Sequence, residues 1–165
     1  TRITTGCAEV RFCTERAVTR AEGATFLWRL FGRSSPSQPT EFDDVAEGTF
    51  YADAVAWMFE NNITTGTSPI TFSPSDPLTR AQFVTLLWRA AGQPTPARPH
   101  PFEDVGADSF ANDAVAWAAG EGITNGTAPG APRCEPRDGL GHCLRAAEGD
   151  KGAGLKLPRP SDFGL

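Results

Sequence analysis

The sequence is poor in several of the features on which common functions rest. Its longest nearly unbroken apolar stretches, such as Ala54 to Phe59, fall far short of the roughly 18 residues a membrane-spanning helix needs. Direct membrane insertion is therefore not expected, and the chain reads as soluble and globular. It has no run of Lys and Arg: 15 basic residues are scattered singly among 20 acidic ones, for a net charge of −5. That distribution argues against non-specific binding to nucleic acid or to an anionic membrane surface. Only two histidines occur, His100 and His142, so a histidine-rich metal site or a conventional nucleophile and base pair has few candidates. No charged-then-apolar leader opens at Thr1, from which either a removed leader or a fragment is expected.

What the sequence does have is a repeat. Ile3-Thr4-Thr5-Gly6, Ile63-Thr64-Thr65-Gly66 and Ile123-Thr124-Asn125-Gly126 recur every 60 residues. Thr19-Arg20-Ala21-Glu22 matches Thr79-Arg80-Ala81-Gln82, Trp28-Arg29 matches Trp88-Arg89, and Gly32 matches Gly92. Phe42, Asp44 and Val45 match Phe102, Asp104 and Val105, and the run Asp53 to Trp57 returns unchanged at Asp113 to Trp117. No gap is needed before Thr127. Repeats of this length usually bury their apolar faces against one another.

Each unit reads as two helices with a loop between them. The first runs from about Tyr51 to Asn61, with Asp53 in the first turn, where the helix dipole favours an anion. Phe50, Ala54 and Trp57 form a stripe, with Val55, Met58 and Phe59 beside it, so most of this helix is expected to be covered. Asn62 in one copy and Gly122 in the next tolerate the left-handed conformation that closes a helix, and Ile63 or Ile123 follows to pack back on it. The second helix starts at Thr79, with capping-box spacing to Gln82, as Thr19 has to Glu22. Phe83, Val84, Leu87, Trp88 and Ala91 form its apolar face and Gly92 its stop. The earlier copy has Gly23 where Phe83 stands and is expected to be less well packed. Arg33 to Glu41 and Gln93 to Pro101, equal in length and rich in proline, are expected to be extended connectors.

This order of motifs closely resembles the S-layer homology domain: Phe-x-Asp-Val, a helix holding Asp-Ala-Val-x-Trp, Ile-Thr-x-Gly, a polar loop, then Thr-Arg-Ala-Glu/Gln before an apolar helix. The resemblance covers about residues 1–127, and the Cys-containing loop and Phe-Leu-Trp-Arg ending look most like actinobacterial relatives. It implies an all-α fold of helix–loop–helix modules around a pseudo-threefold axis. It also implies a secreted bacterial protein held at the cell wall or S-layer through non-covalent binding of a secondary cell-wall polysaccharide, acidic and often pyruvylated. No cofactor and no catalysis by these modules are implied. Two departures stand out. Residues 1–35 supply only the second half of module 1, followed by module 2 over 36–95 and module 3 over 96–145. Module 3 stops matching after Thr127, where Arg133 to His142 replace the expected helix start, and 146–165 reads as a disordered or irregular tail. A change of reading frame or a degenerate tail would each explain this, and on either account Cys134, Cys143 and His142 carry little functional information.

Arg20 and Arg80 are the leading ligand candidates. A cation in a first helical turn opposes the helix dipole, so helix physics does not ask for it. With free backbone N–H groups at the same helix start it would make an anion site able to hold a carboxylate in a two-pronged bond. The alternative is an ion pair with Asp53, Asp113 or Asp44 of a neighbouring unit; the resemblance favours the acidic sugar. Trp57 and Trp117 either stack on sugar rings or, as their helical spacing argues, lie in the core. Gly66 and Gly126, like Gly6, admit either a close-lying glycan or a turn of positive φ. Asp53 and Asp113 either accept sugar hydroxyls or cap a helix. In an exported protein, Cys7 and Cys13, which stand where the next unit has Thr67 and Ser73, are simplest to read as a local disulfide. The adjacent acids Asp43-Asp44 and Glu103-Asp104 point apart along the chain and form no catalytic pair. The leading expectation is a non-catalytic wall anchor. A secreted protein–protein spacer without glycan binding is the alternative, and a wall hydrolase a distant third. An incomplete third module leaves helix faces without partners, which points to low stability or self-association.

Overall fold

A computed structural model describes residues 3, 4, 6, 7 and 12–126. It contains α1 (Arg20–Leu30), α2 (Ala52–Glu60), α3 (Arg80–Ala90) and α4 (Asn112–Gly120). No strand occurs among the described residues; two isolated bridges, Thr19 with Pro77 and Ser68 with Thr71, are the extent of β pairing there. None of these helices is long and apolar enough to cross a membrane. The chain divides into two compact units, Thr1–Leu78 and Thr79–Leu165. Each pairs the second helix of one sequence repeat with the first helix of the next, so the units run one helix out of step with the repeat. The departure after Thr127, including Cys134, Cys143 and His142, lies outside the described residues.

Helix boundaries follow local chemistry. Thr19 and Thr79 both close full capping boxes: each hydroxyl accepts the N–H three residues on, and Glu22 or Gln82 reaches back to the threonine N–H. At the other end of α2, Asn62 takes φ 56°, the Asn62 N–H donates to Phe59 O, and the Ile63 N–H donates to Met58 O at 2.8 Å. This paired 5→2 and 6→1 pattern absorbs the last carbonyls, and Ile63, 2% exposed, packs back on the helix. Gly122 and Ile123 repeat it on α4, with φ 70° and an Ile123 N–H to Ala118 O bond of 2.8 Å.

In the first unit, α1 and α2 pack through Ala24, Leu27, Ala54, Val55 and Met58, all fully buried. Phe31 meets Trp57 with ring centroids 6.0 Å apart. The loop after α2 folds over α1: the Leu78 N–H donates to Val18 O, the Ala21 N–H to Pro74 O and the Arg20 N–H to Asp76 O, at 2.9, 3.0 and 2.9 Å. This loop reverses the packing expected for α1. Gly23 is buried, whereas Phe83 and Val84 of α3 are only half-buried. A second correction concerns Phe50, which was placed in the stripe; Phe110 is its counterpart in the repeat. Phe50 is 63% and Phe110 67% exposed. Each precedes its helix, where the helical period does not apply; Phe50 instead lies edge-on to Tyr51 at 5.0 Å.

In the second unit α3 and α4 pair in the same way, with Ala114 and Ala118 fully buried. Both connectors are pinned by tryptophan: Trp28 Nε1 donates to Ser34 O and Trp88 Nε1 to Pro94 O, each at 2.9 Å. Cys7 and Cys13 form the expected disulfide, with Cα atoms 6.1 Å apart. It occupies the position of the Thr67 to Ser73 hydroxyl contact of 2.7 Å in the next repeat, so a covalent bond replaces a hydrogen bond at one place in the loop. The double change Cys7→Thr, Cys13→Ser is expected to keep that loop geometry and lower the unfolding free energy by ~2 kcal/mol, the chain-entropy value for so short a loop, in a denaturant titration.

Candidate functional site

The Arg20 side chain lies at the meeting point of two repeats. Thr19 holds the start of α1 in place, and the loop 72–77, brought back by α2 and the Ile63 turn, closes over it. Arg20 is 6% exposed. Its Nε donates to Phe72 O at 2.8 Å, and its guanidinium carbon sits 4.7 Å from the centre of the Phe72 ring, a cation–π contact. Burial pushes its pKa below the ordinary arginine value, and the nearby charges of Asp76 and Asp44 pull it partly back. Neither acid makes an ion pair with it. The Asp44 carboxylate accepts the Phe72 and Ser73 N–H groups at 2.8 and 2.7 Å and fixes the loop that carries the ring. The terminal nitrogens of Arg20 make no hydrogen bond to the described residues.

The helix start itself offers less than expected. The N–H groups of Arg20 and Ala21 are taken by Asp76 O and Pro74 O, those of Glu22 and Gly23 by Thr19. The expectation of free backbone donors at this anion site is thus corrected for α1: the loop of the same unit satisfies them. Arg20 can meet an anion only through its guanidinium.

Gly66 belongs to the same cluster. Its φ is 80°, and a Cβ there would stand 2.4 Å from Thr71 O, 2.5 Å from Ser68 O and 2.6 Å from Phe42 Cε1. Phe42 in turn packs on Phe72, with centroids 5.9 Å apart. The structure thus links Gly66 to Arg20 through two phenylalanine rings, and the space beside the glycine is filled by protein. Gly126 repeats this in the second unit, with φ 74° and a Cβ position 2.5 Å from Phe102 Cε1. Arg80 reaches the same loop directly: Nη2 donates to Thr124 Oγ1 at 3.2 Å, a hydroxyl that also accepts the Gly126 N–H.

The other candidates lie elsewhere. Trp57 and Trp117 are 6% and 7% exposed, so their rings are core, and the reading that stacks sugars on them is corrected by that burial. Asp53 and Asp113 are exposed in the first turns of α2 and α4, whose starts, at Tyr51 and Ala111, make no side-chain cap. They serve the helix dipole rather than a capping bond. No ion pair joins Asp53 to Arg20 or Asp113 to Arg80. Asp53 instead lines a cleft of about 520 Å³ between the connector and α2, with Ser37, Gln38, Thr40 and Glu47. Phe42, Phe72 and Asp76 were not singled out as site residues by sequence reasoning, and Asp44 was named only as an alternative ion-pair partner of the arginines. The identical register of Phe42 and Asp44 with Phe102 and Asp104 was the available signal. No group of three or more metal-ligating side chains occurs among the described residues.

A salt link secures the helix start. Arg16 pairs with Glu22, whose carboxylate also accepts the Thr19 N–H at 2.9 Å. Burial raises the Glu22 pKa, but the Arg16 and Thr19 contacts outweigh it and leave the pKa below the ordinary carboxylate value. With a lowered folded pKa, this contribution to stability is present above the ordinary glutamate range and is lost as pH falls through the folded value. The melting temperature of Glu22→Gln should therefore lie below that of the parent at neutral pH and converge with it in acid, as followed by circular dichroism.

Comparison with known proteins places these features in a family. The S-layer homology domain matches residues 41–84 and 101–131. An endoglucanase of Bacillus sp. (strain KSM-635) is 35% identical over 94 residues, 56% of this chain and 10% of the endoglucanase. An amylopullulanase of Thermoanaerobacterium thermosulfurigenes is 29% identical over 133 residues, 75% of this chain and 7% of its own length. Exoglucanase XynX of Acetivibrio thermocellus is 29% identical over 133 residues, 75% of this chain and 12% of that enzyme. The chain thus spans about a tenth of the relatives it matches.

Proposed function

Through residues 41–84 and 101–131 the chain belongs to the S-layer homology domain family, and on that footing we propose that it is a non-catalytic module binding an acidic secondary cell-wall polysaccharide. The family places it at the cell wall or cell surface, where its modules bind secondary wall polymers. The names endoglucanase, amylopullulanase and exoglucanase describe the whole relatives, and those activities are not carried over to this chain.

The observation that supports an acidic ligand is the Arg20 fork. Its inner nitrogen bonds Phe72 O and the Phe72 ring carries the guanidinium, which fixes its plane, while the outer nitrogens make no hydrogen bond to the described residues. A planar, pre-oriented pair of donors matches a carboxylate, such as that of a pyruvate ketal on a sugar, better than a neutral hydroxyl. Arg80, next to the Gly126 loop, is proposed as the corresponding group of the second unit. Asp53, in its polar cleft, is proposed to accept hydroxyls of a neighbouring sugar.

The test uses Arg20→Lys, which keeps the charge but not the planar fork, and Arg80→Ala. Pull-down with wall sacculi should show affinity reduced about tenfold or more in each, as for removal of a charged two-pronged contact. Unchanged affinity in both, with native circular dichroism, would exclude these arginines as the glycan contacts.

A further inference from the structure

His100 ends the second connector with two bonds that ask opposite roles of its ring nitrogens. Its Nδ1 accepts the Phe102 N–H at 3.2 Å, and its Nε2 lies 3.1 Å from Asn112 Oδ1 at the start of α4. A backbone N–H can only donate, so Nδ1 carries no proton and the ring is neutral, with its hydrogen on Nε2. Asn112 agrees with this assignment: its Nδ2 donates to Asp113 Oδ1 at 2.9 Å, which leaves Oδ1 to accept from the histidine. The imidazole also stacks on the Phe102 ring, with centroids 5.9 Å apart and planes 17° from parallel. Sixty residues earlier, Thr40 and Ala52 stand in the places of His100 and Asn112. There the Phe42 N–H donates to Thr40 Oγ1 at 3.4 Å, a hydroxyl that does not titrate, and the Ala52 side chain offers no second bond.

We propose that His100 is a positioning residue for the Arg80 group, and that a second proton on its ring releases it, so that the second unit carries a pH-sensitive latch that the first lacks. The connection runs through Phe102. A Cβ on Gly126 would stand 2.5 Å from Phe102 Cε1, so the ring packs directly on that glycine. The Gly126 N–H donates to Thr124 Oγ1 at 3.3 Å, and the same hydroxyl accepts Arg80 Nη2 at 3.2 Å. A proton on Nδ1 sets donor against donor, takes away the acceptor of the Phe102 amide and displaces the ring on which Gly126 rests. The charged groups on the surrounding elements are Arg98 on the connector, Glu103 and Asp104 after Phe102, Asp113 on α4, and Arg80 and Arg89 on α3. None of them bonds the ring; the acids favour the added proton and the arginines oppose it. Histidine is the side chain that changes charge between about pH 5 and 8, a range in which ordinary carboxylates stay largely ionised. The latch is therefore held at neutral pH and lost as the pH falls. Only its effect on the wall rests on the binding role proposed for Arg80; the latch itself needs no ligand.

Two-dimensional proton–nitrogen NMR of the full chain without glycan, titrated from about pH 8 to 5.5, tests this. The Phe102 and Gly126 amide signals should move with the midpoint of the His100 ring protons, while those of Phe42 and Gly66 stay in place. His100→Thr, which installs the residue of the first repeat, should abolish the movement even though His142 still titrates. Amide signals of Phe102 and Gly126 that ignore the His100 titration, or that move equally in His100→Thr, would overturn the proposal. Co-sedimentation with wall sacculi supplies the second arm. Affinity of the parent should be about threefold or more lower at the acid end than at neutral pH, and that of His100→Thr equal at both. An equal fall in the two proteins would overturn the link to Arg80. Failure of the wall-binding reading would look different: no pelleting at either pH, with the amide titration alone deciding the latch.

Discussion

Replacing Gly66 by alanine is expected to remove on the order of 4 kcal/mol or more from the stability of the first unit, the range reached when a core is forced apart. Two effects add. At φ 80° any L side chain is strained, which costs about 1–2 kcal/mol by itself. The new Cβ would also stand at 2.4 and 2.5 Å from two backbone oxygens and 2.6 Å from Phe42. Those oxygens cannot move without opening the Thr67–Thr71 turn, and Phe42 cannot move without disturbing Phe72, on which Arg20 rests. Gly92 is the control: its φ is 83°, yet nothing lies within 4 Å of an added Cβ. Gly92→Ala should show the conformational cost alone, about 1–2 kcal/mol. Denaturant midpoints of the two variants, read side by side, separate backbone strain from collision. Equal losses would mean that packing around Gly66 contributes nothing.

Arg20→Ala should be the next most damaging change, at about 2–4 kcal/mol, because it leaves the buried Phe72 carbonyl without its charged donor and removes the cation from the ring. Arg80→Ala, at a half-buried side chain whose Nη2 donates to Thr124 Oγ1 at 3.2 Å, should cost less than Arg20→Ala because less of the side chain is buried. The two arginines occupy equivalent positions in the repeat, so unequal losses would show that the difference arises from burial rather than from the motif. Equal losses in chemical denaturation would contradict the distinction drawn between the two sites.

Much of the local structure was legible because it is encoded within a few residues. The Thr19 and Thr79 capping boxes, the left-handed Asn62 and Gly122, the return of Ile63 and Ile123, and the Cys7–Cys13 bond each depend on neighbours less than seven residues away. The burial of Trp57 and Trp117 also followed from helical spacing, since a stripe of period 3.6 turns toward the partner helix. What spacing did not reveal was how the loop 72–78 closes over α1. The bond from Arg20 to Phe72 spans 52 residues, and Asp44 caps amides 28 and 29 residues away. Nothing near Arg20 in the sequence marks those partners. Gly23 read as a packing defect, yet the structure buries it. Phe50 was assigned to the stripe by extending the period to a residue that precedes the helix, and the structure leaves it in solvent.

The anchoring proposal rests on a rigid guanidinium fork meeting an acidic wall polymer, and one comparison tests it most directly. The purified chain is co-sedimented with bacterial sacculi that carry their secondary polysaccharide and with the same sacculi after chemical stripping of that polymer. The account predicts that the chain pellets with the first and stays in solution with the second, and that raising the salt weakens the binding, as expected of a charged contact. Equal pelleting with stripped sacculi, or no pelleting with either by a chain whose circular dichroism shows it folded, would contradict it.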